Sequence, residues 1–108
     1  MISRSEPSLL IDSALAQERA GILRALGNPA RLRMTAFLCT YGEQTVGGLA
    51  EALALPQSTV SRQLGWLKLH DMVAVRADGN HRYYSVRLPQ LQALLECLQG
   101  CGRPAQEK

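Results

Sequence analysis

The stretch TVGGLAEALALPQSTVSRQLGWLKLHDMVAVRADGNHRYYSV, residues 45–86, decides the fold. In its first part, apolar residues recur at helical spacing: Leu49, Ala50 and Leu53, then Val60, Leu64 and Leu67. The spacing predicts a short helix from Thr45 or Val46 to near Leu55. It predicts a second from Ser58, acting as its cap, to about His70. The join Leu55-Pro56-Gln57 is so short that the two helices must meet at a sharp angle, which is how a helix-turn-helix is built. The period then changes from 3.6 to 2. Met72–Arg76 and Arg82–Val86 alternate, and Ala77–His81 lies between them. Asp78-Gly79-Asn80 between two such runs is a strong hairpin signal, because Gly and Asn accept positive φ at little cost.

Working outward, Ser13–Leu26 carries Leu15, Ile22 and Leu26 at helical spacing, and Gly27-Asn28 stops it. Pro29 opens a helix over Ala30–Thr40, ended by Tyr41-Gly42. Downstream, Pro89 opens a last helix with Leu91, Leu94, Leu95 and Leu98. The expected order is four helices, a hairpin and a fifth helix: a mostly α fold with one β-hairpin, in a single domain over 1–108. Residues 1–12 and 102–108 read as flexible ends.

A chain of 108 residues is one domain and too short for two. With 46% hydrophobic and 19% charged residues it is globular in composition, not disordered. No apolar run approaches the roughly 18 residues of a membrane span. No long apolar segment marks the N-terminus as a secretory signal, so the expected compartment is the cytoplasm, with reduced thiols. Three cysteines are an odd number and too few for a disulfide scaffold. No Gly-rich phosphate loop, Ser-His-Asp order or paired carboxylates suggest an enzyme.

The net charge of +3 is not spread evenly. Residues 57–87 hold Arg62, Lys68, Arg76, Arg82 and Arg87 against Asp71 and Asp78, and the other segments balance. A basic segment on a neutral chain is what a phosphate-contacting surface looks like. The helix after the tight turn begins with small hydroxyls, amides and one Arg on its outward side. Hydroxyls and backbone N–H groups contact phosphate, and Gln and Arg reach base edges in a major groove. Gln57, Ser58, Thr59, Ser61, Arg62 and Gln63 are therefore the candidate DNA-contacting residues. Arg76, His81 and Arg82 join them from the hairpin, whose protruding tip suits phosphates or an adjacent minor groove. Tyr83 and Tyr84 read as strand and core residues, not stacking platforms.

Cys97 and Cys101 are four apart on the last helix, which predicts two thiols on one face at the flank of its leucine stripe. Such a pair suits a thiophilic ion, although a free cysteine is also a common small hydrophobe.

LGNPARLRMTAFL (26–38) together with residues 45–86 resembles the ArsR/SmtB family of winged-helix repressors. The specific parts are L-G-N-P-A-R-L-R, S-T-V-S-x-x-L-x-x-L and the Gly-x-x-x-Tyr-Tyr wing. The resemblance implies a winged helix-turn-helix homodimer, paired through its first and last helices, that binds operator DNA and leaves it on binding an inducer. It also makes the second and last helices neighbours, so that Cys39, Cys97 and Cys101 are the candidate metal ligands. Three thiolates suit As(III) or Sb(III). Gln63 stands where the family frequently has His. The family's paired thiols beside the helix-turn-helix are replaced by Thr45 and Gly47, and the last helix lacks the His and Asp of zinc sensors. Two other readings stay open. One is redox or reactive-sulfur sensing, through a Cys39 link to Cys97 or Cys101. The other is a protein–protein adaptor on the same fold, against which the basic 57–87 segment argues.

Overall fold

The computed structural model describes residues 10–102. The elements run α1 Ser13–Leu26, α2 Pro29–Tyr41, α3 Val46–Leu53, α4 Gln57–Leu69, β1 Val73–Asp78, β2 His81–Val86 and α5 Leu91–Gln99. This is the expected order. Of the expected flexible ends, residues 1–9 and 103–108 lie outside the described residues. Asp12 is ordered: its side chain accepts from the Leu15 N–H at 2.8 Å and caps α1.

Local chemistry sets each boundary. The Asn28 side chain accepts from the Arg31 N–H at 3.0 Å, and Pro29 fills the first turn of α2, where its missing N–H is no loss. Thr45 caps α3 through the Gly48 N–H at 3.0 Å. The corner between α3 and α4 turns on Ala54, which adopts the left-handed conformation at φ 55° and ψ 47°. A non-glycine residue there costs about 1–2 kcal/mol. The surrounding packing offsets it, since Leu53 on one side and Val60 on the other are both buried. Ser58 is not the cap of α4. Pro56, with φ −60°, occupies that position without a side-chain bond, so the helix starts at Gln57 and Ser58 lies in its first turn.

The hairpin pairs Val73 with Val86 through to Asp78 with His81. Only Gly79-Asn80 remain at the tip. Gly79 sits at φ +62° and Asn80 keeps negative φ, the pattern of a turn with glycine first. Gln44 adds one further rung, exchanging N–H···O bonds of 2.8 and 3.1 Å with Tyr84. At the far end Pro89 forms a turn and does not begin the helix. The Leu91 N–H donates to the Leu88 carbonyl at 3.0 Å, and α5 starts at Leu91.

The core lies where α2, α3, α4 and α5 meet the base of the hairpin. Met34, Leu49, Val60, Leu64, Leu67 and Leu91 are fully buried there. By contrast α1 buries only Ala25 and Leu26 and packs chiefly on α2. The molecule measures 58 × 39 × 19 Å with a radius of gyration of 16.8 Å. A compact globule of this length has about 13 Å, so the described residues form a flat, elongated body.

Candidate DNA interface and thiol sites

All six candidate residues on the chain's fourth helix lie in the first two turns of α4. Val60, Leu64 and Leu67 face the core. Gln57, Ser58, Ser61 and Arg62 are exposed, as is Gly65 one turn on. Thr59 and Gln63 are half-buried, on the flank toward α2. That flank holds a contact the sequence does not display. The Arg31 guanidinium donates from Nη1 to Gln63 Oε1 at 2.9 Å. It also donates from Nε to the Ala25 carbonyl at 2.8 Å and from Nη2 to the Arg24 carbonyl at 3.2 Å. Its plane lies 3.9 Å from the centre of the Trp66 ring, on which the His70 ring stacks at 3.8 Å. One side chain thus ties the end of α1 and the start of α2 to α4. A signal existed, because a cation in the first turn of a helix opposes the helix dipole and needs some other partner.

The hairpin cations divide in two. Arg76 makes a bidentate bond to Glu43, at 3.0 Å from Nε and 2.9 Å from Nη2, and lies over the Tyr83 ring at 4.7 Å. The Arg76 hydrogen bond holds the Glu43 carboxyl below the usual carboxylate range. Arg76 is therefore a strap between the hairpin and the loop before α3, and its charge is already matched. Arg87 lies 3.4 Å from Asp71. Among the described residues Arg62, Lys68 and Arg82 pair with no carboxylate. His81 and Arg82 are exposed beside the tip. We expect Arg82→Ala to lower the slope of log affinity on log salt by about one. Arg76→Ala should leave that slope nearly unchanged, which duplex titrations from 50 to 200 mM salt would show.

The three cysteines occupy two places. Cys39 is half-buried in a cleft of about 80 Å³ between α2 and α5, lined with Ala36 and Thr40 on one side and Gln92, Leu95 and Glu96 on the other. Burial pushes the Cys39 thiol up. Cys97 and Cys101 are exposed and do not line this cleft. Cys101 is not on the helix: α5 ends at Gln99, Gly100 caps it, and the Cys101 N–H donates to the Leu98 carbonyl at 3.1 Å. Glycine at the cap ends the helical geometry on which the same-face expectation relied. Among the described residues of one chain, no three His, Cys, Asp or Glu side chains come together to hold a metal ion. The thiolate is the reactive form, and burial disfavours it at Cys39. Iodoacetamide at neutral pH should therefore modify Cys97 and Cys101 well before Cys39, and the gap should narrow as pH rises. Peptide mass spectrometry of timed samples reads this directly.

No helix among the described residues is long and apolar enough to cross a membrane. Residues 28–75 match the model of the bacterial regulatory protein arsR family. The chain is 36% identical over 93 residues to the HTH-type transcriptional regulator NmtR of Mycobacterium tuberculosis, covering 86% of this chain and 77% of that one. The antimony-specific transcriptional repressor AntR superposes with a TM-score of 0.77 at 30% identity, covering 91% of this chain and 92% of AntR. The homodimeric winged helix-turn-helix domain of Mb0332 from Mycobacterium bovis gives 0.70 at 28% identity, covering 86% and 87%. The helix-turn-helix, the hairpin wing and these likenesses agree, and the chain belongs to the arsR family of DNA-binding transcriptional regulators.

Proposed function

We propose that the protein is a homodimeric cytoplasmic repressor that holds operator DNA through α4 and the wing, and releases it when trivalent antimony or arsenic binds thiolates at the end of α5. The observation that carries this reading is the pair of exposed thiols, Cys97 and Cys101, near an apolar face that no other described residue covers. That face includes Leu98, 39% exposed, and an open hollow of about 270 Å³ lined by Leu32, Ala36 and Leu95. Just before α1, Ile11 is 54% exposed; on α1 itself Leu23 is exposed and Leu15 and Ile22 are half-buried. A second copy would cover both helices, as the homodimeric description of Mb0332 supports. The description of AntR as antimony-specific supports the choice of ion.

Soft thiolates select soft ions, and binding requires their deprotonation, so release should be favoured by rising pH. The third ligand in this reading is Cys39, reached by a shift of α5 on α2 or supplied from the partner. Either way α5 moves in the dimer seam. The two recognition helices must sit about 34–36 Å apart to enter successive major grooves, so a small tilt at the seam changes DNA affinity. The position of Cys39 facing α5 favours one second reading. In it, an oxidant takes two electrons and two protons from Cys39 and Cys97 or Cys101, leaving a disulfide; alternatively an inorganic polysulfide serves as both oxidant and sulfur donor, inserting one sulfur between the two thiols and leaving as hydrosulfide.

Native mass spectrometry decides between them. The protein at micromolar concentration should appear at twice 11.8 kDa and add Sb(III) or As(III). A ladder of added sulfur atoms on polysulfide treatment, with no metalloid adduct, would select the second reading. A clean monomer would overturn the dimer.

A further inference from the structure

The fold carries an acid into the basic segment. Residues 57–87 hold five cations against two acids, and Glu43 lies outside them in the sequence. The rung between Gln44 and Tyr84 lays the loop before α3 along the second edge of β2. Side chains alternate across a sheet, so Glu43, one residue before that rung, stands on the face opposite to Tyr84. Arg76 pairs with Tyr83 in the hairpin register, which puts both side chains on that same outer face. From β1 the Arg76 guanidinium crosses the Tyr83 ring at 4.7 Å and reaches Glu43. It donates from Nε to Oε2 at 3.0 Å and from Nη2 to Oε1 at 2.9 Å. Its remaining nitrogen, Nη1, lies 3.8 Å from Asp78. A two-pronged bond, with the cation resting on an aromatic face, holds an arginine well. Arg82 pairs with Ala77, one position nearer the tip and on the other face, and meets no carboxylate among the described residues.

We propose that Glu43 is a positioning residue for DNA binding that acts through Arg76: it holds this guanidinium off the phosphates, so that of the two hairpin arginines only Arg82 grips DNA. A hairpin tip that enters a groove has a sugar–phosphate strand on each side, so a cation on either face near the tip is offered a phosphate. Arg76 stands about 3.3 Å along the strand from the level of Arg82, so distance does not exclude it. Charge does. To take a phosphate, Arg76 must leave a carboxylate that already satisfies two of its donors, and a bare Glu43 would remain beside the DNA. One cation exchanged between two anions neutralises no further charge, so the pair gains nothing from counterion release. The contact withheld is independent of sequence, because phosphates position a protein and base edges specify it. Masking Arg76 therefore leaves a larger share of the hold on DNA with the base-reading groups of α4. The inference rests on the reading that hairpin cations meet phosphates, and the variants below separate the two.

The test is the slope of log affinity on log salt for one selected duplex, in the wild type and four variants, with circular dichroism to show that each is folded. Glu43→Gln keeps the shape of the side chain and removes its charge. Its slope should be steeper by about one, and its gain in affinity over the wild type at 50 mM salt should shrink by about 3- to 4-fold at 200 mM. A duplex of random sequence should show the same gain. In the double variant Glu43→Gln/Arg76→Ala the slope should equal that of Arg76→Ala, because no cation is left to release. A field of the carboxylate acting on DNA without Arg76 would steepen the slope in both backgrounds, and that result overturns the inference. A shallower slope in Glu43→Gln also overturns it, since the pair would then serve to hold the wing in place. Arg82→Ala tests the reading beneath. If it lowers the slope by about one while Glu43→Gln leaves it unchanged, the inference alone fails. If neither changes the slope, the hairpin does not touch phosphates, and both the inference and the reading fail.

Discussion

The double variant Cys97→Ser/Cys101→Ser is expected to bind a selected duplex as tightly as the wild type and to be no longer released by Sb(III) or As(III). Both side chains are exposed and lie outside the α2–α5 cleft, so replacing each sulfur by oxygen removes no buried contact. Neither lies on α4 or the wing, so the DNA surface is untouched. An inducer shifts an equilibrium only by its differential affinity for the two states, and couplings of this kind are about 1–3 kcal/mol, or 5- to 150-fold in DNA affinity. Removing the ligands removes the whole of that difference. Fluorescence anisotropy of a labelled duplex, titrated with metalloid, measures it. Normal release of the double variant would reduce the thiol pair to surface packing. Cys39→Ser then divides the remaining possibilities. It abolishes release if three thiolates bind and only weakens it if two suffice.

Leu98→Glu is expected to turn the dimer into a folded monomer whose DNA affinity falls by about 10²- to 10⁴-fold. The argument begins from exposure. Leu98 is 39% exposed in the single chain and borders the open hollow beside Leu32 and Leu95, so the substitution leaves the core of one subunit intact. A carboxylate in the last turn of α5 opposes the helix dipole, at a cost of about 0.3–1 kcal/mol, too little to unfold the chain. Across a two-fold seam the same change acts twice. It buries two like charges against an apolar face, which association cannot offset. Each half-site is then bound singly, and the gain from linking two recognition helices is lost. Sedimentation velocity and circular dichroism together give the result. A variant that remains dimeric at micromolar concentration would place the seam elsewhere.

Much of the fold was legible because its causes are local. The change from a period of 3.6 to one of 2 near Met72 separates helices from hairpin, and Asp78-Gly79-Asn80 marks the turn within it. Asn28-Pro29 states where one helix stops and the next begins. Boundaries failed where backbone geometry, not side-chain pattern, decided them. Pro56 displaced Ser58 from the cap of α4, Pro89 stayed in a turn ahead of α5, and Gly100 ended α5 before Cys101.

By itself the sequence determined the element order, the helix-turn-helix, the basic segment and the residues on the outward face of α4, all of which follow from spacing within a few turns of chain. Only the tertiary structure decided which of those polar groups were free. Arg31 meets Gln63 across 32 residues, and Arg76 meets Glu43 across 33. Cys39 shares a helix pair with Cys97 and yet opens onto a different surface. Long side chains reach several ångströms in many directions, so their partners depend on the angle and rotation at which whole helices pack. Those angles are set by the fit of buried residues such as Met34, Leu64 and Leu67, contacts between segments far apart along the chain that no local period encodes.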